Sequence, residues 1–178
     1  MQKVLIYDQT IIKNEVFELK DSDVNTDILG LILGSGEDVF DLKVDTLHLV
    51  PRTTCQTDFR IILKDKATCT LKGLIKIAKE AHQTDAFLTI KSFLLSEEAE
   101  VVTEPSLEIE ANDVKASHSA SSGPPDPEQI FYLKSRGLTD EQAEGLIVEG
   151  FMGELTNKIE NDNLRKRVQN RLEVFLKT

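Results

Sequence analysis

The sequence has no tryptophan, only two cysteines and no long apolar run, and each shortage excludes a class of protein. Cys55 and Cys69 are too few for a disulfide framework or a four-thiolate metal site, so we expect a reduced, cytoplasmic setting. The longest apolar run, Ile28 to Leu33, is too short to span a bilayer. The N-terminus also lacks the apolar stretch of a secretory signal, and we therefore expect no association with a membrane.

Positive charge is scarce as well. The chain has 21 Lys and Arg residues against 31 Asp and Glu residues, which gives a formal net charge of −10. Such an acidic chain is a poor electrostatic match for nucleic acid or anionic lipid. The basic residues near the C-terminus are typical of a solvated helix end, where they complement the helix dipole. We therefore expect no nucleic-acid partner.

Turn dipeptides of the hairpin type are also missing, because residues 1–123 contain no Asn-Gly and no Asp-Gly. This part of the chain instead has short alternations of apolar and polar residues, and the clearest is ATCTLKGLIKI (residues 67–77). Repeated strands are typical of a sandwich, a barrel or a β-solenoid, and the lack of hairpin turns favours a parallel β-helix. The alternation predicts these further residues on core-facing sides: Phe40, Leu42, Val44, Phe59, Ile61, Leu63, Ala86, Leu88, Ile90, Leu107, Ile109 and Ala111.

A proline-rich segment, SSGPPDP (Ser121 to Pro127), ends the β-type pattern. Its prolines cannot continue a strand ladder, and each one restricts the residue before it to extended conformations. We therefore predict a β body over residues 1–123 and a small helical domain over residues 124–178.

Capping signals predict where the helices of the second part begin and end. Asp126 is a good N-cap, and Gly137 is a helix stop. Thr139 and Gln142 form a capping-box pattern at the start of a second helix. A third helix is predicted from apolar residues at Leu164, Val168, Leu172 and Leu176. The predicted core stripe of the second helix is Ala143, Leu146, Ile147, Phe151, Leu155 and Ile159.

Recognisable catalytic equipment is absent from the sequence, which has no phosphate-binding loop, nucleophile elbow or paired-histidine metal motif. His48 and His82 have no cysteine or carboxylate at a metal-ligand spacing, so we interpret both as structural or surface residues. Cys69 shares the phase of the core-facing positions and is expected in the core, whereas Cys55 lies in a polar stretch and is expected to be more exposed. By pattern alone His118 is a structural strand residue too. The sequence therefore favours a protein that is not an enzyme.

Two long motifs flank the proline-rich segment. LEIEANDVKASHSAS (Leu107 to Ser121) resembles the pattern LEI-x-ADDVK-C-SHGAT-x-G, and DPEQIFYLKSRG (Asp126 to Gly137) resembles D-x-EQLFYLRSRG. Both patterns belong to the SufB/SufD family of iron–sulfur cluster assembly proteins, and the segment Phe93 to Ile109 is similar to that family as well. The strong resemblance covers residues 85–155 and is closer to the SufD side of the family.

The resemblance implies a right-handed parallel β-helix followed by a C-terminal helical domain. It implies a non-catalytic scaffold subunit that docks a SufC-like ABC ATPase through its helices. It further implies pairing with a SufB-like subunit, or with a second copy of the chain, through the β-helix. The residues implied at the ATPase-docking surface are Gln129, Phe131, Tyr132, Arg136, Gly137 and Phe151.

The resemblance also implies a ligand for iron or for a transient iron–sulfur cluster at a subunit interface. The histidine of the family's SHGAT motif maps onto His118, and a neutral imidazole is a suitable ligand for iron beside sulfur donors. Two neighbouring positions depart from the pattern, since Ala116 replaces the usual cysteine and Ser119 replaces the usual glycine. These departures favour an alternative, a structural or assembly β-helix protein of the same fold that binds no metal.

A third alternative is a polysaccharide-acting β-helix enzyme. Such an enzyme needs carboxylates clustered on one face, often beside aromatic subsites. The acidic residues here are scattered along the chain, and tryptophan is absent. The sequence gives this alternative the least support.

Overall fold

The computed structural model describes residues 1–177, which form nine β-strands followed by three α-helices. Thr178, the last residue of the predicted helical domain, lies outside the described residues. The strands are β1 (Gln2–Tyr7), β2 (Ile11–Leu19), β3 (Asn25–Gly34), β4 (Val39–His48), β5 (Thr54–Leu63), β6 (Thr68–Ile77), β7 (Thr84–Leu94), β8 (Glu100–Ile109) and β9 (Val114–Gly123). The helices are α1 (Pro127–Ser135), α2 (Asp140–Thr156) and α3 (Asp162–Lys177).

The strands alternate between two parallel sheets. The order is β1-β3-β5-β7-β9 in the first sheet, sheet A, and β2-β4-β6-β8 in the second, sheet B. Each turn of the chain therefore adds one strand to each sheet. Corner residues stacked on neighbouring turns lie about one turn apart in sequence, as in the pair Asp23 and Arg52, which are separated by 29 positions. This arrangement is a β-solenoid, and the parallel β-helix predicted from the missing hairpin turns is confirmed.

The space between the two sheets is filled by the residues that the alternation placed inside. Phe40, Phe59, Leu71 and Ile90 are all at most 1% exposed and belong to one hydrophobic cluster. Ile109 is an exception, since it was predicted to face the core but is 43% exposed. It lies on β8, the last strand of sheet B, so no further turn within residues 1–177 covers it.

Close packing inside the solenoid requires a glycine at one position. A Cβ atom added to Gly30 would lie 2.1 Å from the ring of Phe59, which stacks on it from the next strand of sheet A. Protein interiors are packed at the density of organic crystals, so there is no slack to absorb such a contact. Gly30 therefore leaves room for Phe59, one of the two fully buried phenylalanines of the inner core.

The helix boundaries follow the predicted capping signals. The Asp126 side chain accepts a hydrogen bond of 2.9 Å from the backbone N–H of Glu128. Thr139 and Gln142 form the full capping box, with hydrogen bonds of 3.0 and 3.2 Å. Gly137 has a φ of +98°, the left-handed conformation that ends a helix. All three predictions of helix ends are confirmed.

Helices α2 and α3 pack on the outer face of sheet A. Leu31 and Ile62, which point out of the solenoid, share a cluster with Val148 and Met152 of α2 and Val168 of α3. The predicted stripe of α2 is therefore partly wrong: Leu146 is 48% exposed, whereas Val148 and Met152 are fully buried. The stripe could not be assigned because α2 has apolar residues on several faces, and the neighbouring sheet selects which face is buried.

Among the helices of residues 1–177, none combines the length and the apolar composition that crossing a membrane would require.

Candidate functional site

His118 lies at the open end of the solenoid. It is on β9, the outermost strand of sheet A, where it pairs in register with Leu88 of β7. Leu88 is 3% exposed and points into the core, whereas His118 is exposed because no further turn of residues 1–177 covers it. The predicted ligand thus occupies an inward-facing position that the end of the solenoid leaves accessible.

The surroundings of His118 have small side chains. Ala116 and Ala120 lie on the same side of β9, and Ser119 points to the opposite side, towards the helices, beside Thr89 of β7. Within residues 1–177 no three His, Cys, Asp or Glu side chains are grouped so that they could hold a metal ion. If His118 binds iron, the other ligands must therefore come from outside the described chain, which is the situation expected at a subunit interface.

Both cysteines are core residues. Cys69 is 2% exposed, as predicted, but the expectation that Cys55 is exposed is wrong, since it lies on β5 and is 1% exposed. Burial raises the pKa of Cys55 to about 11 and that of Cys69 to about 12. A buried thiol with a raised pKa is a poor metal ligand and a poor nucleophile. The prediction was wrong because it took the polar residues around Cys55 as a sign of an exposed loop. Thr53 and Thr57 are in fact buried in the solenoid.

Helix α1 presents an exposed aromatic surface. Phe131 is 74% exposed and Tyr132 is 56% exposed, and the guanidinium of Arg136 lies 5.2 Å from the centre of the Tyr132 ring. Gln129 is exposed on the same helix, and among the described residues of α1 none is buried. Large exposed aromatic residues of this kind are typical of a surface that binds another protein.

The two remaining residues of the implied docking set have other surroundings. Gly137 ends α1 and is exposed. Phe151 is partly buried, and its ring stacks on that of Phe93 with 4.1 Å between centroids. Tyr132 and Arg136 are therefore in contact at the C-terminal end of α1, Phe131 is exposed on the same helix, and Phe151 lies in the contact between α2 and sheet A.

A network of charged side chains lies beside this aromatic stack. Arg60 and Asp58, on the outer face of β5, are 2% and 5% exposed and form an ion pair. Arg60 also donates to Glu154 of α2 at 3.0 Å, and Glu154 accepts a second hydrogen bond, at 3.1 Å, from Lys91. Lys158 donates to Asp58 at 2.7 Å. The hydrogen bond from Lys91 is the main reason that the pKa of Glu154 is lowered.

This network was not predicted from the sequence. The available signal was the segment TDFRIIL, residues 57–63, in which apolar residues occupy both alternating phases of one strand. A strand with two apolar faces is covered on both sides, so charged residues within it must be paired. This reasoning would have singled out Asp58 and Arg60, although not their partners on α2.

The fold and these surfaces define the class of protein: a parallel β-solenoid that ends in an uncovered strand edge and is followed by helices with an exposed aromatic surface. Comparison with known families assigns the chain more narrowly. The family described as SUF system FeS cluster assembly, SufBD core domain, matches residues 2–151. The chain belongs to this SufBD family of iron–sulfur cluster assembly proteins, as the resemblance implied.

Individual relatives agree with this assignment. The iron–sulfur cluster assembly protein SufD of Escherichia coli is 42% identical over 113 residues, which are 64% of this chain and 27% of that protein. SufD of Bacillus subtilis is 30% identical over 143 residues, which are 80% of this chain and 33% of that protein. Protein ABCI7 of Arabidopsis thaliana, a chloroplastic protein, is 30% identical over 116 residues, 65% of this chain and 24% of its own length. The chain thus spans about a third or less of the length of these relatives.

Proposed function

We propose that the chain is a non-catalytic scaffold subunit of a SUF-type iron–sulfur cluster assembly complex. The helical part, residues 124–178, docks an ABC-type ATPase of the SufC class, and the solenoid, residues 1–123, pairs with a SufB-like subunit or with a second copy. The observation that supports docking is the exposed group of Phe131, Tyr132 and Arg136 on α1. The reduced thiols of two buried cysteines fit a cytoplasmic setting.

Docking is tested by co-expression with a SufC-class ATPase. Deletion of the helices is a poor test, because α2 and α3 cover Leu31 and Ile62 of sheet A. The double variant Phe131→Ser/Tyr132→Ser changes only exposed side chains and should abolish co-purification of the ATPase. Val174→Ser on α3, where the side chain is 63% exposed, is the matched control and should retain it. Full retention by the double variant would refute docking through α1.

The exposed end of the solenoid at β9 is proposed to bind the nascent cluster through His118. The cluster is the cargo of the complex. The support is the accessible inward-facing position of His118 on the terminal strand. Anaerobic reconstitution of the complex should give less sulfide-to-iron absorption with His118→Ala than with His82→Ala, a change at an exposed histidine elsewhere on the solenoid. Equal cluster loading in the two variants would contradict the role of His118.

A second candidate function is an assembly protein of the same fold that binds no metal. Ala116 favours it, because the family's cysteine is missing beside His118 and Cys55 and Cys69 are buried in the core. In that case His118→Ala leaves cluster loading of the whole complex unchanged, while binding of the ATPase still depends on Phe131 and Tyr132. The two experiments together therefore separate the two candidates.

A further inference from the structure

A groove of about 660 Å³ lies between α1 and the connection that joins β7 to β8. Leu95 and Ala99 of that connection line one side, and Ile130 and Phe131 of α1 line the other. Pro125 closes the groove where the chain enters α1. The lining is largely apolar, and it is continuous with the exposed aromatic surface of α1. We call this feature the α1 groove.

The rim of the α1 groove is acidic. Three carboxylates line it, those of Glu97, Asp140 and Glu144, against a single ammonium group, that of Lys134. Lys134 is already paired with Asp140. The other residues of the segment 124–149 repeat this imbalance, with four acidic residues and one basic residue. The electrostatic potential at the rim of the groove is therefore negative, while the residues that line its interior are largely apolar.

Glu144 adds a second argument for a cationic partner. Its side chain is half-buried on α2, and burial raises the pKa of its carboxyl, an effect that nearby Lys64 partly offsets. A carboxylate that is partly removed from water is stabilised by a cation brought against it. The groove thus offers an apolar site and an anionic site side by side.

We infer that the α1 groove receives a segment of the partner ATPase in which a large apolar side chain is next to Lys or Arg. The apolar side chain fills the space between Ala99 and Phe131, and the basic side chain pairs with Glu97 and Glu144. This inference rests on the proposed function, since it specifies where and by what chemistry the ATPase is bound. It adds the solenoid, through residues 95–99, to a docking surface otherwise formed by the helices.

The electrostatic part is tested with matched charge reversals in the full chain. Glu97→Lys changes an exposed residue of the groove, and Glu149→Lys changes an exposed residue of α2 outside its lining by the same net charge. Glu97→Lys should weaken binding of the ATPase about tenfold, most strongly at low salt, while Glu149→Lys should change it less than about twofold. Equal effects of the two reversals would show a general charge effect and overturn the assignment.

The apolar part is tested with Ile130→Asn. This change is compatible with folding because α1 has no buried residue among those described, and a thermal melt verifies it. Ile130→Asn should weaken ATPase binding without changing the melting temperature. If the wild-type chain binds the ATPase but Glu97→Lys and Ile130→Asn bind equally well, the groove is not the site, although the proposed docking stands. If the wild-type chain binds no ATPase, the proposed function and the groove inference both fail.

The occupant is identified by crosslinking. Both native cysteines are buried, so Glu97→Cys introduces one accessible thiol that a photoreactive maleimide can label. The crosslinked ATPase peptide should contain a large apolar residue adjacent to Lys or Arg. A crosslinked peptide without a basic residue would overturn the inference, and so would a crosslink between two copies of this chain.

Discussion

The side chain of His48 is fully buried at the end of β4, in the interior of the solenoid. Its Nδ1 atom lies 2.7 Å from the hydroxyl of Thr53, which in turn lies 3.1 Å from the hydroxyl of Thr84. Within residues 1–177 its Nε2 atom has no hydrogen-bond partner. Burial lowers the pKa of His48 to about 4, so the imidazole is neutral at pH 7.

A buried neutral histidine makes stability depend on pH. The unfolded chain binds a proton at His48 near its ordinary pKa of about 6.5, whereas the folded chain binds it only near 4, so stability is lost as the pH falls between these values. We expect this residue alone to remove about 2 kcal/mol of unfolding free energy between pH 7 and pH 5. Urea unfolding at both pH values measures the loss.

The variant His48→Asn isolates this contribution, and His82→Asn is the control at an exposed histidine. At pH 7 His48→Asn should have a lower unfolding free energy than the wild-type chain. Between pH 7 and pH 5 its unfolding free energy should fall by less than that of His82→Asn. An identical drop in both variants would mean that His48 is not the group that titrates.

Some residues of the candidate site could be predicted from the sequence, and others could not. His118, Phe131 and Tyr132 belong to motifs that sequence alone connects with the family, and they are accessible in the structure. Cys55 was misplaced because its neighbours are threonines, and threonine is common both in loops and in buried strand positions. A local pattern does not distinguish these two settings.

Among the secondary-structure elements, α2 has the most consequential contacts, because it joins the helices to sheet A. Its Phe151 ring stacks on Phe93, and its Glu154 carboxylate accepts from both Arg60 and Lys91. The guanidinium of Arg60 also lies 5.4 Å from the centre of the Phe151 ring. One aromatic stack and one charged network therefore add to the apolar contacts that hold the helices on sheet A.

Removal of Arg60 tests this contact. Arg60→Met leaves the buried carboxylate of Asp58 with Lys158 as its remaining partner, so we expect a loss of roughly 3–5 kcal/mol in unfolding free energy. Chemical denaturation measures it. Lys76→Met, which breaks an exposed ion pair with Glu108, should leave the unfolding midpoint unchanged.

The double variant Asp58→Asn/Arg60→Met distinguishes an electrostatic cause from a loss of packing. Because it removes both buried charged groups, it should recover part of the stability lost in Arg60→Met. A double variant that is less stable than Arg60→Met would show that the network contributes mainly through packing.

The solenoid is a stack in which each strand pairs with the equivalent strand of the next turn, and its two ends differ. At the first end, the Gln2 side chain on β1 donates to the carbonyl of Lys158 at 2.8 Å and accepts from the N–H of Glu160 at 2.9 Å. Asp8 adds an ion pair with Arg171 of α3. At the second end, most of β9 is exposed. The helices therefore contact the strand β1 end of the solenoid through Gln2 and Asp8, whereas β9 is the strand at which we propose that a partner binds.

This asymmetry predicts the order of hydrogen exchange. Stability in a stacked array depends on neighbouring turns, so the amides of β5 and β6 should exchange most slowly and those of β9 fastest among the strands of sheet A. Amides of β1 should be better protected than those of β9, because β1 is bonded to the connection between α2 and α3. Mass spectrometry of exchange in the full chain measures this. Equal protection of β1 and β9 would contradict it.

The sequence by itself determined which part of the chain is β and which is helical, three of the helix ends and the family. These features depend on residues close together in the chain: the alternation of Cys69 and Leu71, the cap at Asp126, the stop at Gly137 and the motif around His118. A local period or a capping side chain acts within one element, so no knowledge of its neighbours is needed.

Only the tertiary structure decided which outer and terminal faces are covered. Asp58 and Arg60 are buried because α2 packs on their strand, Leu146 is exposed because sheet A selects another face of the helix, and Ile109 is exposed because β8 is a terminal strand. Each outcome depends on residues far away in sequence, as Arg60 and Glu154 are 94 positions apart. A side chain is buried only when a second surface packs on the first. One segment of sequence specifies its own surface but not the surface that covers it.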